Sequence, residues 1–343
     1  MGKKVIIVGG VAGGASAATR LRRLDENAEI IMFERGEHIS FANCGLPYYI
    51  GGVIKDRDDL LVQTAESMKS RFNIDVRVRS EVIKVDTDNN KVTVKSDSKG
   101  IYEETYDYLV LSPGAKAIKP GIPGINSSKI FTLRNVADTD AIKDYIDNNG
   151  VSSVVVAGGG FVGVEMAENL KLKGINVSVV EAAPHILAPF DRDIVVTVEK
   201  ELVKNGINLV LGDGVKEFSD TENGISVVLN SGKTLAADMV ILSIGIIPDT
   251  EFIKDSGIEL GPKGHIIVNE KMQTNIENIY AVGDAVEVTD FVTGLKTAVQ
   301  LAGPANKQGR IAADNISGLK SVYRGAQGTA IIKVFDLTAA VTG

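Results

Sequence analysis

The 343-residue sequence predicts an α/β protein of two Rossmann-like nucleotide-binding domains, each with a parallel sheet and a β-meander. Three observations predict it. Two apolar runs, Val5 to Val8 and Val154 to Ala157, each enter a glycine-rich turn and then a helical stretch. Each helix leads to a second apolar run that ends in an acid, Glu34 or Glu181. Each copy then carries an alternating pattern about a turn and one more apolar strand closed by glycine. Strand, helix and strand in series is the unit of a doubly wound parallel sheet.

In the first copy Val5 to Val8 is a strand, and Gly9-Gly10-Val11-Ala12-Gly13-Gly14 opens a helix over 15–24. Ile30 to Phe33 forms the next strand, closed by Glu34. Residues 81–97 alternate around Asp88-Asn89-Asn90, and a further strand runs into Ser112-Pro113-Gly114. Pro120 to Gly124 is a connection. The second copy repeats the order: Gly158-Gly159-Gly160-Phe161-Val162-Gly163, a helix over 164–172, and Val177 to Glu181. An alternation over 225–236 turns at Asn230-Ser231-Gly232, and the last strand closes at Gly245. The segment Thr274 to Asp284 has no counterpart in the first copy.

A formal charge of −7 argues against nucleic acid or an anionic membrane as partner. The apolar run after Lys3 and Lys4 is too short for a signal peptide or a membrane span. One cysteine excludes an internal disulfide framework and suits a reducing compartment. His38, His185 and His265 lack metal-ligand spacing. The expectation is a cytoplasmic protein that holds no metal.

The second glycine loop carries the full fingerprint Gly158-x-Gly160-x-x-Gly163. The first of these permits the tight turn, the second the close approach of a diphosphate, and the third close helix–sheet packing. The diphosphate then lies on the helix N-terminus. Glu181, 18 residues beyond Gly163, stands where a carboxylate accepts from ribose hydroxyls and repels a 2′-phosphate. Ala182 and Ala183 follow it and supply no arginine, so NADH is favoured over NADPH. The first loop keeps Gly9 and Gly14 but has Val11 at the second glycine position; Glu34, 20 residues after Gly14, supports it. Two such loops imply two nucleotides, one of them a flavin.

Cys44, in Ser40-Phe41-Ala42-Asn43-Cys44-Gly45-Leu46-Pro47-Tyr48-Tyr49, lies ten residues past Glu34. A lone cysteine is more often a small buried hydrophobe, but this setting makes it a candidate redox centre. Arg20 and Arg23, three residues apart, share a helix face; a solvated basic face and a phosphate-binding face explain them equally well.

The two fingerprints, Tyr280-Ala281-Val282-Gly283-Asp284 and the segment Ser40 to Gly52 together resemble the pyridine nucleotide–disulfide oxidoreductases, whose fold is of the glutathione-reductase type. The match is closest to the single-cysteine branch of coenzyme A disulfide reductases and NADH-dependent persulfide or polysulfide reductases. The resemblance implies an FAD-binding domain over 1–119 and 247–322 and an NAD(H)-binding domain over 120–246. It implies that 323–343 begin a C-terminal dimerisation domain whose remainder, with its catalytic tyrosines, is absent. The full-length form is then expected to be a homodimer. FAD would be held by Gly9, Ala12, Gly13, Gly14, Glu34, Arg35, Asn43, Cys44, Val82, Ser112, Gly114, Asp284, Leu301 and Ala302. NAD would meet Gly158, Gly160, Phe161, Val162, Gly163, Glu165, Glu181 and Gly245. Coenzyme A, as substrate or bound thiol, would meet Arg20, Arg23, Ser40, Asn43 and Arg71. Related NADH oxidases and peroxidases carry a histidine where this chain has Ala12, which favours thiol–disulfide chemistry.

The reaction this implies is reduction of coenzyme A disulfide or a per- or polysulfide through Cys44, which alternates between mixed disulfide and thiolate. The thiol is expected to be acidified by helix ends and the flavin. Three alternatives stand beside it: an NADH oxidase, a flavoprotein reductase of a small electron-transfer protein, and a nucleotide-binding redox sensor.

Overall fold

Apolar strands that lead into glycine turns produce two five-stranded parallel sheets, one in each of two units. The computed structural model describes residues 2–343. The first unit comprises Met1–Phe41, Leu61–Lys116 and Ile247–Gly328; the second comprises Ala42–Leu60, Ala117–Ile246 and Thr329–Gly343.

In the first unit the sheet order is Ile279–Ala281, Tyr108–Leu111, Lys4–Val8, Glu29–Phe33 and Asp75–Arg77. All four pairings are parallel, with Val5 opposite both Ile30 and Tyr108. Val5, Ile6 and Ile7 are fully buried, as a strand covered on both faces must be. Helix Ala12–Leu24 buries Gly13, Gly14, Ala17, Ala18 and Leu21, the three-and-four spacing of a core-facing stripe. It packs against helix Ala302–Ile316, which buries Ala305, Gly309, Ala312 and Ala313. Small residues on both surfaces let the backbones approach closely. An antiparallel meander follows, Ser80–Asp86, Lys91–Ser96 and Gly100–Thr105. Its third strand, Gly-Ile-Tyr-Glu-Glu-Thr, has mostly exposed or half-buried positions and gives little hydrophobic alternation to read.

The second unit repeats the plan: Asn208–Leu211, Asn176–Glu181, Ser153–Ala157, Met239–Leu242 and Ile130–Phe131, all parallel. Its meander is Val215–Thr221, Gly224–Leu229 and Thr234–Ala237. Here too one strand, Val215–Thr221, lies outside the expected alternation. Helix Phe161–Leu172 follows the glycine loop and buries Gly163, Val164, Met166, Ala167, Glu168, Asn169 and Leu170. Both glycine-loop helices begin three residues earlier than the apolar pattern predicts, inside the glycine run itself. The C-terminal segment is a hairpin, Thr329–Val334 with Leu337–Thr342. Phe335 takes φ +52° and, with Asp336, makes the two-residue turn. Residues 42–60 and 329–343 belong to the second unit. Among the described residues, no helix is long and apolar enough to cross a membrane.

Candidate functional site: two glycine loops and a thiol turn

The duplication extends to individual hydrogen bonds. Glu34 Oε2 accepts from the Gly10 N–H at 2.9 Å, and its Oε1 from the Gly36 N–H at 2.8 Å. Glu181 does the same: Oε2 accepts from the Gly159 N–H at 2.6 Å and Oε1 from the Ala183 N–H at 2.8 Å. Each acid stitches the end of its strand to the second residue of its glycine loop. The carboxylate is thereby fixed at the rim, each oxygen keeping a further lone pair for a hydroxyl donor.

The loops themselves are shaped for a ligand. Gly9 and Gly158 take φ +94° and +112°, which side-chain-bearing residues rarely adopt. A Cβ on Gly14 would lie 1.9 Å from the Gly9 carbonyl oxygen, and one on Gly163 2.0 Å from that of Gly158. These glycines serve packing. Gly160 differs, because a Cβ there would meet nothing within 4 Å and φ is −74°. The open space above Gly160 is what a diphosphate would fill. Val11, at the same place in the first loop, also has negative φ (−93°), so the position does not call for a left-handed backbone. Val11, Gly160 and Leu301 precede helices Ala12–Leu24, Phe161–Leu172 and Ala302–Ile316, and none caps its helix with a side-chain bond. Their leading N–H groups and positive dipole ends suit anionic groups.

In the first unit a Cβ on Gly13 would lie 2.9 Å from Ser112 Oγ, which places that hydroxyl over the loop. Gly114 takes φ +69°, and Val82 is buried in the meander. Asp284 is half-buried in the short turn Gly283–Ala285, where the Gly283 N–H donates to Gln308 Oε1 at 2.7 Å. Leu301 and Ala302 open the last helix and are exposed. Arg35 is ion-paired with Asp249, which also faces Lys116 Nζ at 3.5 Å. Neither Asp249 nor Gln308 carries a sequence signal, since each acts on a residue far along the chain.

The residues expected to meet coenzyme A have distinct settings. Arg20 donates through Nε to Asp314 Oδ1 at 2.7 Å. Arg23 and Arg71 flank the Phe72 ring, 5.9 and 5.6 Å from its centroid. Arg20 and Arg23 thus have different partners, although they leave one helix. Ser40 adopts φ +46°, fixed by its N–H to the Gly10 carbonyl at 3.0 Å. Asn43, in the second unit, starts the turn Asn43–Gly45 that carries Cys44.

Cys44 is exposed, and helix Leu46–Ile50 follows it directly. That helix packs on Phe161–Leu172 and on Val136–Asn148. Phe161, at the head of the first of these, stacks obliquely on Phe190 at 5.9 Å, and Val162 beside it is exposed. Gly245 takes φ +124°. Within this unit the protein raises the Cys44 thiol above its ordinary value, by burial first and then by the charge of Glu165. Although the residue is exposed on its turn, the partial burial of its sulfur and then the Glu165 charge outweigh the short helix within the protein itself. Burial also lifts Glu165, with Glu168 adding to it, to about 7.

A carboxyl that prefers its proton in the fold stabilises the folded state below its ordinary value of 4.5 and loses that contribution as pH rises to about 7. The loss is of order 3 kcal/mol. Urea unfolding at pH 5 and pH 8 should show wild type losing this stability while Glu165→Gln keeps it. Equal pH dependence in the two proteins would count against the buried acid.

Residues 3–309 match the family model of pyridine nucleotide-disulphide oxidoreductases. The chain is 39% identical over 341 residues to an NADH oxidase of Methanocaldococcus jannaschii, covering 99% of this chain and 76% of that protein. It is 37% identical over 343 residues to the coenzyme A disulfide reductase of Staphylococcus haemolyticus, with coverage of 99% and 76%. The crystal structure of reduced Bacillus anthracis CoADR-RHD superposes with a TM-score of 0.97 at 52% identity. That match covers all of this chain and 62% of the other.

Proposed function

The chain belongs to the pyridine nucleotide-disulphide oxidoreductase family, and from that premise we propose that it is an FAD-dependent oxidoreductase that uses NADH to reduce coenzyme A disulfide or a per- or polysulfide through Cys44. The observation that carries the reading is the doubled loop: Glu34 and Glu181 hold their glycine turns with the same pair of hydrogen bonds, so the chain offers two dinucleotide seats and one thiol. We assign FAD to the first unit and NADH to the second.

A bound FAD supplies two-electron transfer from NADH to a disulfide. The chain's own residues do the rest. The uncapped helix starts at Ala12 and Phe161 would receive the diphosphates, and the helix start at Ala302 would favour anionic character on a bound flavin. Arg35 and Asp284 flank the first seat. Cys44 attacks as thiolate; one sulfur of the substrate disulfide joins Cys44 and the other leaves as thiolate. Two electrons then split the mixed disulfide, releasing the second thiol, so that NADH, one proton and one disulfide give NAD⁺ and two thiols. Substrate phosphates fall to Arg20, Arg23, Arg71, Ser40 and Asn43. The partner is a small molecule, and we infer a homodimer and a cytoplasmic setting.

The test is anaerobic NADH oxidation by the FAD-loaded protein on coenzyme A disulfide, a persulfide and a polysulfide, with oxygen as the competing acceptor. Rates on the sulfur substrates should exceed the oxygen rate; the reverse order would return the protein to the oxidase reading that the M. jannaschii relative represents. Nicotinamide choice should follow Glu181. The ratio of kcat/KM for NADH over NADPH should be large in wild type and fall about tenfold or more in Glu181→Ala, since a 2′-phosphate then escapes a fixed carboxylate. A wild-type preference for NADPH would remove Glu181 as selector.

A further inference from the structure

Residues 42–60 carry Cys44 and fold back on themselves within the second unit. The Ala42 N–H donates to the Leu60 carbonyl at 2.8 Å, which joins the two ends of the segment. Midway, the Val53 N–H donates to the Tyr48 carbonyl at 2.8 Å. Leu60 is fully buried, and a Cβ on Gly45 would stand 3.0 Å from Leu60 Cδ2 and 3.1 Å from Ile54 Cδ1. The residue after Cys44 therefore rests on Leu60, which ends the short helical turn Arg57–Leu60. That turn begins with Arg57. Its guanidinium donates through Nε to both carboxylate oxygens of Asp140 at 3.0 Å, and through Nη2 to Oδ2 at 2.7 Å. Asp140 stands on helix Val136–Asn148. Lys143, three residues on and so on the same helix face, lies 5.7 Å from the Tyr49 ring centroid. One helix surface thus meets both halves of the segment.

Apolar contacts hold helix Leu46–Ile50 against helices Val136–Asn148 and Phe161–Leu172, with Ile50 fully buried. Such contacts have no preferred direction and leave a short turn free to slide. A planar guanidinium gripping one carboxylate through two nitrogens fixes direction as well as distance. The pair adds little to overall stability, because its side chains are 35% and 32% exposed and water screens them. Its effect is local. The geometry points to Arg57 and Asp140 as a clasp that positions Cys44 for the disulfide step. Asp140 holds Arg57, Arg57 fixes the turn that ends at Leu60, and Leu60 supports the thiol turn at Gly45. The inference rests on reading Cys44 as the reacting thiol. It makes Arg57 and Asp140 positioning residues, which act through the turn rather than on the sulfur.

The experiment compares the FAD-loaded full chain as wild type, Asp140→Ala, Arg57→Met, the double variant and Arg57→Lys. Three rates are read: flavin reduction by NADH in stopped flow, anaerobic turnover on coenzyme A disulfide, and Cys44 alkylation by iodoacetamide followed by mass spectrometry. Flavin reduction should stay near wild type, since hydride transfer does not use the thiol. Turnover should fall roughly ten- to a hundredfold, the cost of misplacing a reacting group by about 1 Å or less. Alkylation should move the other way. It should rise about two- to fivefold as the turn loosens, the range by which one exposed ion pair shifts a local opening equilibrium. The double variant should match the worse single one, because the two residues act as a unit. Arg57→Lys keeps the charge and loses the fork; it should move the same rates in the same directions by less, and it is the readout should the others fail to fold. A role in stability alone would lower flavin reduction, turnover and Tm together, and that pattern overturns the clasp. Wild-type turnover and alkylation in every variant also overturn it. Failure of the thiol reading looks different: Cys44→Ser would keep its turnover, while alkylation would still rise in Asp140→Ala.

Discussion

Cys44→Ser is expected to abolish reduction of coenzyme A disulfide and persulfide, by roughly 10³-fold or more in kcat, while folding, FAD content and NADH-driven flavin reduction stay near wild type. The side chain is exposed on a short turn, so removing the sulfur opens no cavity. Among the described residues no hydrogen bond to the sulfur holds the turn together; the backbone bond from the Gly45 N–H to the Ala42 carbonyl at 2.8 Å does, and serine preserves it. What serine lacks is the chemistry. It cannot form the mixed disulfide, and its hydroxyl is far harder to ionise than a thiol in a place where partial burial and Glu165 already oppose negative charge. Stopped-flow reduction of the flavin by NADH, followed by steady-state turnover on each sulfur substrate, separates the two half-reactions. Retention of most disulfide reductase activity by Cys44→Ser would make the cysteine structural and end the thiol mechanism. A loss confined to flavin reduction would point to a damaged seat instead.

What could be read from the sequence was whatever repeats with a short period. The glycine loops, their helices and the acids at Glu34 and Glu181 are local patterns, and the structure shows them as two matching turns. One strand of each meander was not legible, because Gly100–Thr105 and Val215–Thr221 show water mostly polar or charged side chains. The partners of single side chains were also invisible. Glu168 meets the Phe335 amide 167 positions away, and Asp249 reaches back to Arg35. Arg20 and Arg23 look equivalent by spacing, yet one pairs with Asp314 and the other with Phe72. The groups that raise Cys44 were invisible for the same reason, since the carboxylate that opposes the thiolate comes from a helix more than a hundred residues on. Helix ends are local and could be weighed from sequence; the burial and charge that outweigh them are tertiary.

Gly309→Val is expected to disrupt the first unit and its nucleotide seat together, although residue 309 belongs to neither glycine loop. A Cβ at 309 would stand 2.3 Å from the Gly13 carbonyl oxygen, 3.1 Å from the Ala17 nitrogen and 3.2 Å from Ser16 Cβ. Two of those three atoms are backbone, so no rotamer change relieves the clash; helix Ala12–Leu24 or helix Ala302–Ile316 must shift. Gly13 lies in the first turn of the former, where Ala12, Gly13 and Gly14 would present their N–H groups to a diphosphate. A displacement large enough to seat valine therefore also moves the anion site. Overpacking of this kind costs about 1–3 kcal/mol and sometimes more, or roughly 2–4 °C of Tm for each kcal/mol in a unit of this size. FAD retention through gel filtration should fall with it, while binding of NADH to the second unit stays near wild type. Gly121→Ala is the control, because a Cβ there meets nothing within 4 Å. Wild-type Tm and flavin content in Gly309→Val would show that the two helices tolerate a wider separation than their glycines imply, and that the seat does not depend on their contact.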